Sequence, residues 1–193
     1  MIQKGGAILE KFTLRTQRGK IRLEGSDYHD LLNQLRTLDG IPEANLMDFR
    51  RGGEKVKQAI LGSIAALYDA KITPADTIPI LGYGSEGSYS ENLLYFNDYI
   101  EHGRDGGRGQ LFVGTLPTTP LCEVAIALKM HGPAFYLDSA SDRKQLHEEL
   151  ELLFADPAVS EILLLEFKKG TLHVSCLGRG KEEEEEGKKS CDF

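Results

Sequence analysis

Residues 132–154 read GPAFYLDSASDRKQLHEELELLF, and this stretch decides the fold class. Gly132-Pro133 opens a short apolar run, Ala134 to Leu137, which Asp138, Ser139, Ala140 and Ser141 then interrupt. Leu146, Leu150, Leu153 and Phe154 follow at the spacing of one helical face. A strand turning sharply into an amphipathic helix is the building unit of a layered α/β protein. On the C-terminal side Asp156-Pro157 ends the helix, and Ile162 to Leu165 form a near-continuous apolar strand of the kind buried on both faces. Lys168-Lys169-Gly170 turns the chain back, so Thr171 to Leu177 reads as an antiparallel edge strand.

Working toward the N-terminus, Thr118 or Thr119 caps a helix with Pro120 in its first turn, where a missing N–H costs nothing. Leu121, Val124, Ala125 and Leu128 form its apolar face, and Leu111-Phe112-Val113 before it reads as a short strand or turn element. Ser88 to Glu91 has capping-box spacing at the head of a helix that His102-Gly103 closes. Residues 77–83 form a short strand. Val56, Ile60, Ile64 and Leu67 mark a strong helix that Thr73-Pro74 stops. Residues 39–53 are irregular, Tyr28, Leu31, Leu32 and Leu35 have helical spacing, and residues 8–15 pair as a hairpin with Ile21 and Leu23 across Gly19. The alternation from 54 to 166 predicts one α/β domain over residues 1–178. Residues 179–193, with five consecutive glutamates from Glu182 to Glu186, have too little apolar content to join a core and read as a disordered, solubilising or partner-attracting tail.

The bulk numbers narrow the function. Net charge is −7, of which the last thirteen residues contribute −3. No basic patch suits a phosphate backbone: Arg50, Arg51, Lys55 and Lys57 read as a solvated helix start, so no nucleic-acid partner is expected. No apolar run approaches a membrane span, and the N-terminus lacks a secretory apolar region. Cys122, Cys176 and Cys191 form no CxxC pair or metal-ligand spacing, which points to a reducing, cytoplasmic setting. No cofactor or metal is expected.

Few residues suggest chemistry. Gly82, Gly84 and Gly87 match GxGxxG, but no acidic residue ends a following strand where a ribose would bind, so the segment reads as a tight turn. Ser141 stands at the strand-to-helix corner, where helix N–H groups favour developing negative charge. A serine nucleophile needs a base, and nothing in the spacing places His147 or His131 against it. The plainer role for Ser141 is as helix cap, with Ser139 as the alternative through Asp142. Cys122 lies in the first turn of a helix beside Leu121 and reads as a buried, inert thiol, while Cys176 and Cys191 have no evident base partner. Asp98, Glu101 and His102 read as a solvent-facing group rather than a metal site.

GPAFYLDSAS resembles the strand and nucleophile elbow in the N-terminal half of the β-ketoacyl synthase family, of thiolase-like fold. In that family the strand begins with Gly-Pro and ends in Thr-Ala-Cys. Here Ser139 stands for the threonine, Ala140 is kept, and Ser141 stands where the nucleophilic cysteine would be. Residues 111–133, LFVGTLPTTPLCEVAIALKMHGP, resemble the segment leading to the elbow. Residues 54–71, 77–88 and 142–166 resemble the flanking helices and strands, so the likeness covers about 50 to 167. It implies a layered thiolase-like half-domain with a mixed central sheet covered by helices. Two departures bear on activity: the cysteine is absent, and the enzymes of the family are roughly twice this length, their C-terminal half supplying histidines with no counterpart in these residues. The resemblance therefore implies a non-catalytic structural or interaction partner in fatty-acid or polyketide-type acyl metabolism. Its partner would be a second copy, a complete ketoacyl synthase or an acyl carrier protein, with residues 111–137 as the contact surface. The alternatives are an acyltransferase or esterase using Ser141, and one half of a split synthase.

Overall fold

The computed structural model describes residues 1–103, 108–138 and 142–180. Their centre is a run of alternating apolar side chains. Along β6 (Glu161–Lys168), Leu163 and Leu165 enter one hydrophobic cluster, and Ile162 and Leu164 enter another. A strand with both faces apolar needs a layer on each side. The first face is covered by α2 (Glu54–Ala70) and α5 (Thr119–Leu128), the second by α6 (Arg143–Ala155) through Leu146 and Leu150. The sheet has seven strands in the order β3-β2-β1-β7-β6-β4-β5. These are β1 (Ile2–Glu10), β2 (Thr13–Thr16), β3 (Arg22–Glu24), β4 (Ile80–Tyr83), β5 (Ala134–Leu137), β6 and β7 (Thr171–Gly178). β4 runs parallel to both β5 and β6, and the remaining pairs are antiparallel. The layered α/β class with a mixed, helix-covered sheet, read from the sequence, is the observed architecture.

Four local expectations are corrected. Residues 8–15 are not one strand: the chain turns at Lys11, whose φ is +48°, so the segment forms a second hairpin, β1 against β2. β7 is an inner strand, not an edge, because β1 returns to pair along it from Ile2↔Gly178 to Glu10↔Thr171. Leu111-Phe112-Val113 lies in a short helix, α4 (Gly109–Gly114), and is not a strand. The hydroxyls of Thr115 and Thr119 donate to the carbonyls of Phe112 and Val113 at 2.6 Å each, supplying partners that a helix end otherwise lacks. The capping box at α3 (Tyr89–His102) does not form. Ser88 makes no side-chain cap bond, because Lys55 draws Glu91 away at 2.9 Å and also donates to the Gly87 carbonyl at 2.8 Å.

α2 is fastened to the sheet at its end. Asp69 is buried, and its Oδ2 accepts from the backbone N–H of Gly6 at 3.1 Å and of Arg18 at 3.3 Å. Both donors sit where ladder pairing is irregular: β1 shifts register between Gln3 and Gly5, and Arg18 is in the turn between β2 and β3. The helix packs so closely here that a Cβ on Gly5 would stand 2.5 Å from the Ala70 nitrogen. The chain then leaves α2 through Lys71 in the left-handed region, φ +58°, and leaves α5 through Lys129 in the same conformation, φ +55°.

Two stability changes are expected in urea unfolding. Asp69→Ala strands the buried Gly6 N–H and loses the part-buried bond from Arg18, and lowers stability by about 1–3 kcal/mol. Lys71→Gly relieves a Cβ clash at the left-handed cap and raises stability by about 1 kcal/mol.

Candidate functional site

In an open sheet with parallel strands, ligands approach the carboxyl ends of those strands. At that end β4 passes into Gly84, β5 into Asp138, and β6 through Glu166, with Gly82↔Tyr136 and Tyr83↔Glu166 in register. Of the three glycines that match GxGxxG, Gly82 and Gly84 serve close packing, and Gly87 has open space around it and takes a left-handed φ of +48°. A Cβ on Gly82 would stand 2.6 Å from the Tyr136 ring and 2.9 Å from Leu121, and one on Gly84 would stand 2.5 Å from the Phe167 carbonyl oxygen. The Tyr136 hydroxyl donates to the Gly84 carbonyl at 2.9 Å, and burial pushes its pKa up to about 12, so the phenol stays a neutral donor. Arg143, the first residue of α6, reaches Glu166 at 3.2 Å. The helix cap is Asp142, whose side chain accepts from the Lys144 N–H at 2.9 Å, where Ser141 or Ser139 was expected. Ser139, Ala140 and Ser141, the elbow of the family resemblance, lie outside the described residues.

All five histidines can be placed. His29 stacks edge-on against Phe49, His131 pairs with Asp76 at 3.0 Å, and His147 pairs with Glu151 at 3.0 Å on the exposed side of α6. His102 lies 3.3 Å from Asp98. His173 is on β7 opposite Glu166, three strands from Leu137, or about 14 Å at ordinary strand spacing. Burial, and then the charge of Lys168, hold its pKa below the usual histidine value. Each histidine thus has a described neighbour of its own. Among the described residues no group of three or more His, Cys, Asp or Glu could hold a metal ion. Among the described residues no helix is long and apolar enough to cross a membrane.

The most unusual surface is built by α3, α4 and α5. Among described residues of α3 only Asp98 is buried, at 7% exposure, while Leu93, Leu94, Phe96, Tyr99 and Ile100 face outward. The face continues through Phe112, Val113 and Leu116 to Ile126. The solvent-facing group expected of Asp98, Glu101 and His102 is corrected accordingly. Asp98 is drawn inward and bound by Arg108 at 2.5 Å, which ties α3 to the start of α4. Cys122 is also corrected. It is exposed, because its neighbour Leu121 takes the inward position on α5 and one residue of helix turns the thiol away. Cys176 is the buried thiol, with burial pushing its pKa up to about 12. Lys55, expected in a solvated helix start, is half-buried in its pair with Glu91. β5, which packs against α5 of this face, is the end strand of the sheet, and among the described residues no strand pairs with its outer edge. Sequence reading missed this combined surface, because apolar residues at helical spacing look the same whether they meet a core or a second protein.

Two measurements test this geometry. Gly84→Ala forces a shift of the Phe167 backbone and is expected to cost about 3 kcal/mol, whereas Gly109→Ala, with open space around it, should be nearly neutral. In a Cys191→Ser background at pH 8, a thiol reagent should label Cys122 in the native chain and Cys176 only after unfolding.

No family model and no curated protein sequence matches the chain. Solved structures do match in fold. The chain is similar to a chain of the ketosynthase ApeO in complex with its chain length factor ApeC from Xenorhabdus doucetiae, with a TM-score of 0.59 and 13% identity over 91% of this chain and 77% of that one. It is also similar to a chain of the ishigamide ketosynthase/chain length factor, with a TM-score of 0.58 and 10% identity over 95% of this chain and 63% of that one. The fold is therefore thiolase-like, as the resemblance at residues 132–141 implies.

Proposed function

We propose that this chain is a non-catalytic, ketosynthase-like subunit that acts by binding a complete ketosynthase in fatty-acid or polyketide-type acyl metabolism. The observation that carries this reading is the apolar face of α3, α4 and α5 beside the open edge of β5. Ile100 is 66% exposed and Phe112 54%. Several large apolar side chains left together on the surface mark an association site. An unpaired strand beside them offers main-chain hydrogen bonds to a partner strand. One of the matched folds is seen as a ketosynthase in complex with its chain length factor, which supports a partner of the same fold. The face overlaps residues 111–137, the contact surface implied by the resemblance, and extends it to α3.

The lack of independent chemistry is supported by residue types. Serine is a weak nucleophile without an adjacent base, and the five histidines are each engaged or distant, as described. This favours a binding subunit over an acyltransferase or esterase using Ser141. A split synthase would need its partner to bring the histidines, and the serine would still limit condensation. A second copy or an acyl carrier protein on this face is an alternative outcome of the binding test.

Co-expression with a complete ketosynthase should yield a heteromeric complex by size-exclusion chromatography with mass identification. Phe112→Asp should weaken it thirtyfold or more, as loss of a central apolar anchor does, while folding stability falls by only about 1 kcal/mol, the loss of the edge-on contact with Tyr95. A chain that stays monomeric beside the ketosynthase, or a complex that Phe112→Asp leaves unweakened, would contradict the reading. Incubation with an acyl thioester should leave Ser141 unmodified. A covalent adduct abolished by Ser141→Ala would establish the catalytic alternative.

A further inference from the structure

The first turns of α2, α3 and α5 converge on an open cleft of about 460 Å³. Its walls include Val56, Leu94, Leu111, Val113 and Pro120, so it opens from the apolar face assigned above to a partner. None of the three helices has a side-chain cap bond. The charged groups around the cleft divide into two sets. Lys55 is committed to Gly87 and Glu91, and Glu54 accepts from the Tyr28 hydroxyl at 2.7 Å and from Gln58 at 3.3 Å. Asp48 and Glu123 are not matched in this way. Glu123 has no hydrogen bond or ion pair among the described residues, and Asp48 has Arg51, which also lines the cleft, at 3.9 Å. Burial, and then the charge of Asp48, hold the Glu123 carboxyl above the ordinary glutamate pKa, as expected of a half-buried acid with no cation bonded to it. An independent feature points the same way. Ser88 lines the cleft at 6% exposure, and its hydroxyl makes no hydrogen bond among the described residues. Water reaches this hydroxyl, which is thus free to accept from a group entering the cleft.

We infer that this cleft receives an arginine side chain of the partner chain, its apolar stem against Val56, Leu94 and Val113 and its guanidinium between Asp48, Glu123 and Ser88. Arginine fits because its planar fork presents several donors at once and its weak hydration lowers the cost of burial. Charge disfavours a second copy as donor: this chain carries −7, and like surfaces repel at close approach. The inference rests on the partner reading above but is tested without the partner.

Hexylguanidinium, an arginine stem and head group, is titrated into the full-length chain at low salt and followed by amide chemical shifts. Saturable shifts at Ser88, Leu111 and Glu123 are expected, with binding about tenfold weaker in Glu123→Gln, the loss of one charge-assisted pair. Hexanoate should produce no saturable shifts there. Absence of saturable hexylguanidinium binding, or equal affinity in Glu123→Gln, would overturn the arginine site and leave the docking face standing. Failure of the ketosynthase to associate would instead remove the partner while leaving a measured cation site.

Discussion

The structure depends on how closely helix α2 lies on the sheet. Twelve of its seventeen residues are buried, more than one amphipathic face can account for. Gly62 makes the approach possible, since a Cβ there would stand 2.8 Å from the Val174 side chain. At the end of the helix Asp69 ties it to β1 and to the turn between β2 and β3. With α2 pinned, β1 and β7 are held beneath it. α5 packs alongside, and the parallel strands β4, β5 and β6 fall at the other side of the sheet, where β5 has no further neighbour.

That arrangement has a functional consequence. Helices α3 and α4, which follow β4 directly, stay outside the core, because α2 and α5 already fill the layer above the sheet. Helix α3 buries only an aspartate among its described side chains and turns its large apolar residues outward. Leaving such a surface in water forgoes roughly 25 cal/mol for each Å² that a partner could cover. The ion pair of Asp98 with Arg108 keeps this face assembled in the isolated chain by joining α3 to α4. The site is thus presented by packing and one buried carboxylate, and it needs no catalytic group.

Much of this was legible in the residues. The Ile162–Leu165 run, the stripe from Val56 to Leu67, the strand at Ala134–Leu137 and the helical spacing from Leu146 follow directly from hydrophobic period, and they suffice for the layered class. What could not be read depends on contacts distant in the chain. Whether Thr171 to Leu177 is an edge or an inner strand is decided by β1, which pairs Ile8 with His173 from the other end of the molecule. The short run Leu111 to Val113 carries no period long enough to separate helix from strand, and threonine hydroxyls decide it. The side on which Cys122 falls is set by the rotation of α5 against β4. The meeting of Asp48, Ser88 and Glu123 joins three separate elements, and no local spacing announces it.

The central claim is that β5 and the α3–α4 face are where this chain meets a ketosynthase. Amide hydrogen exchange in the free chain and in the complex measures this directly. The account predicts fast exchange at the outward N–H groups of residues 134–137 in the free chain, and strong protection there and across residues 93–100 once the ketosynthase is bound. Unchanged exchange at both segments in a complex that has demonstrably formed would contradict it.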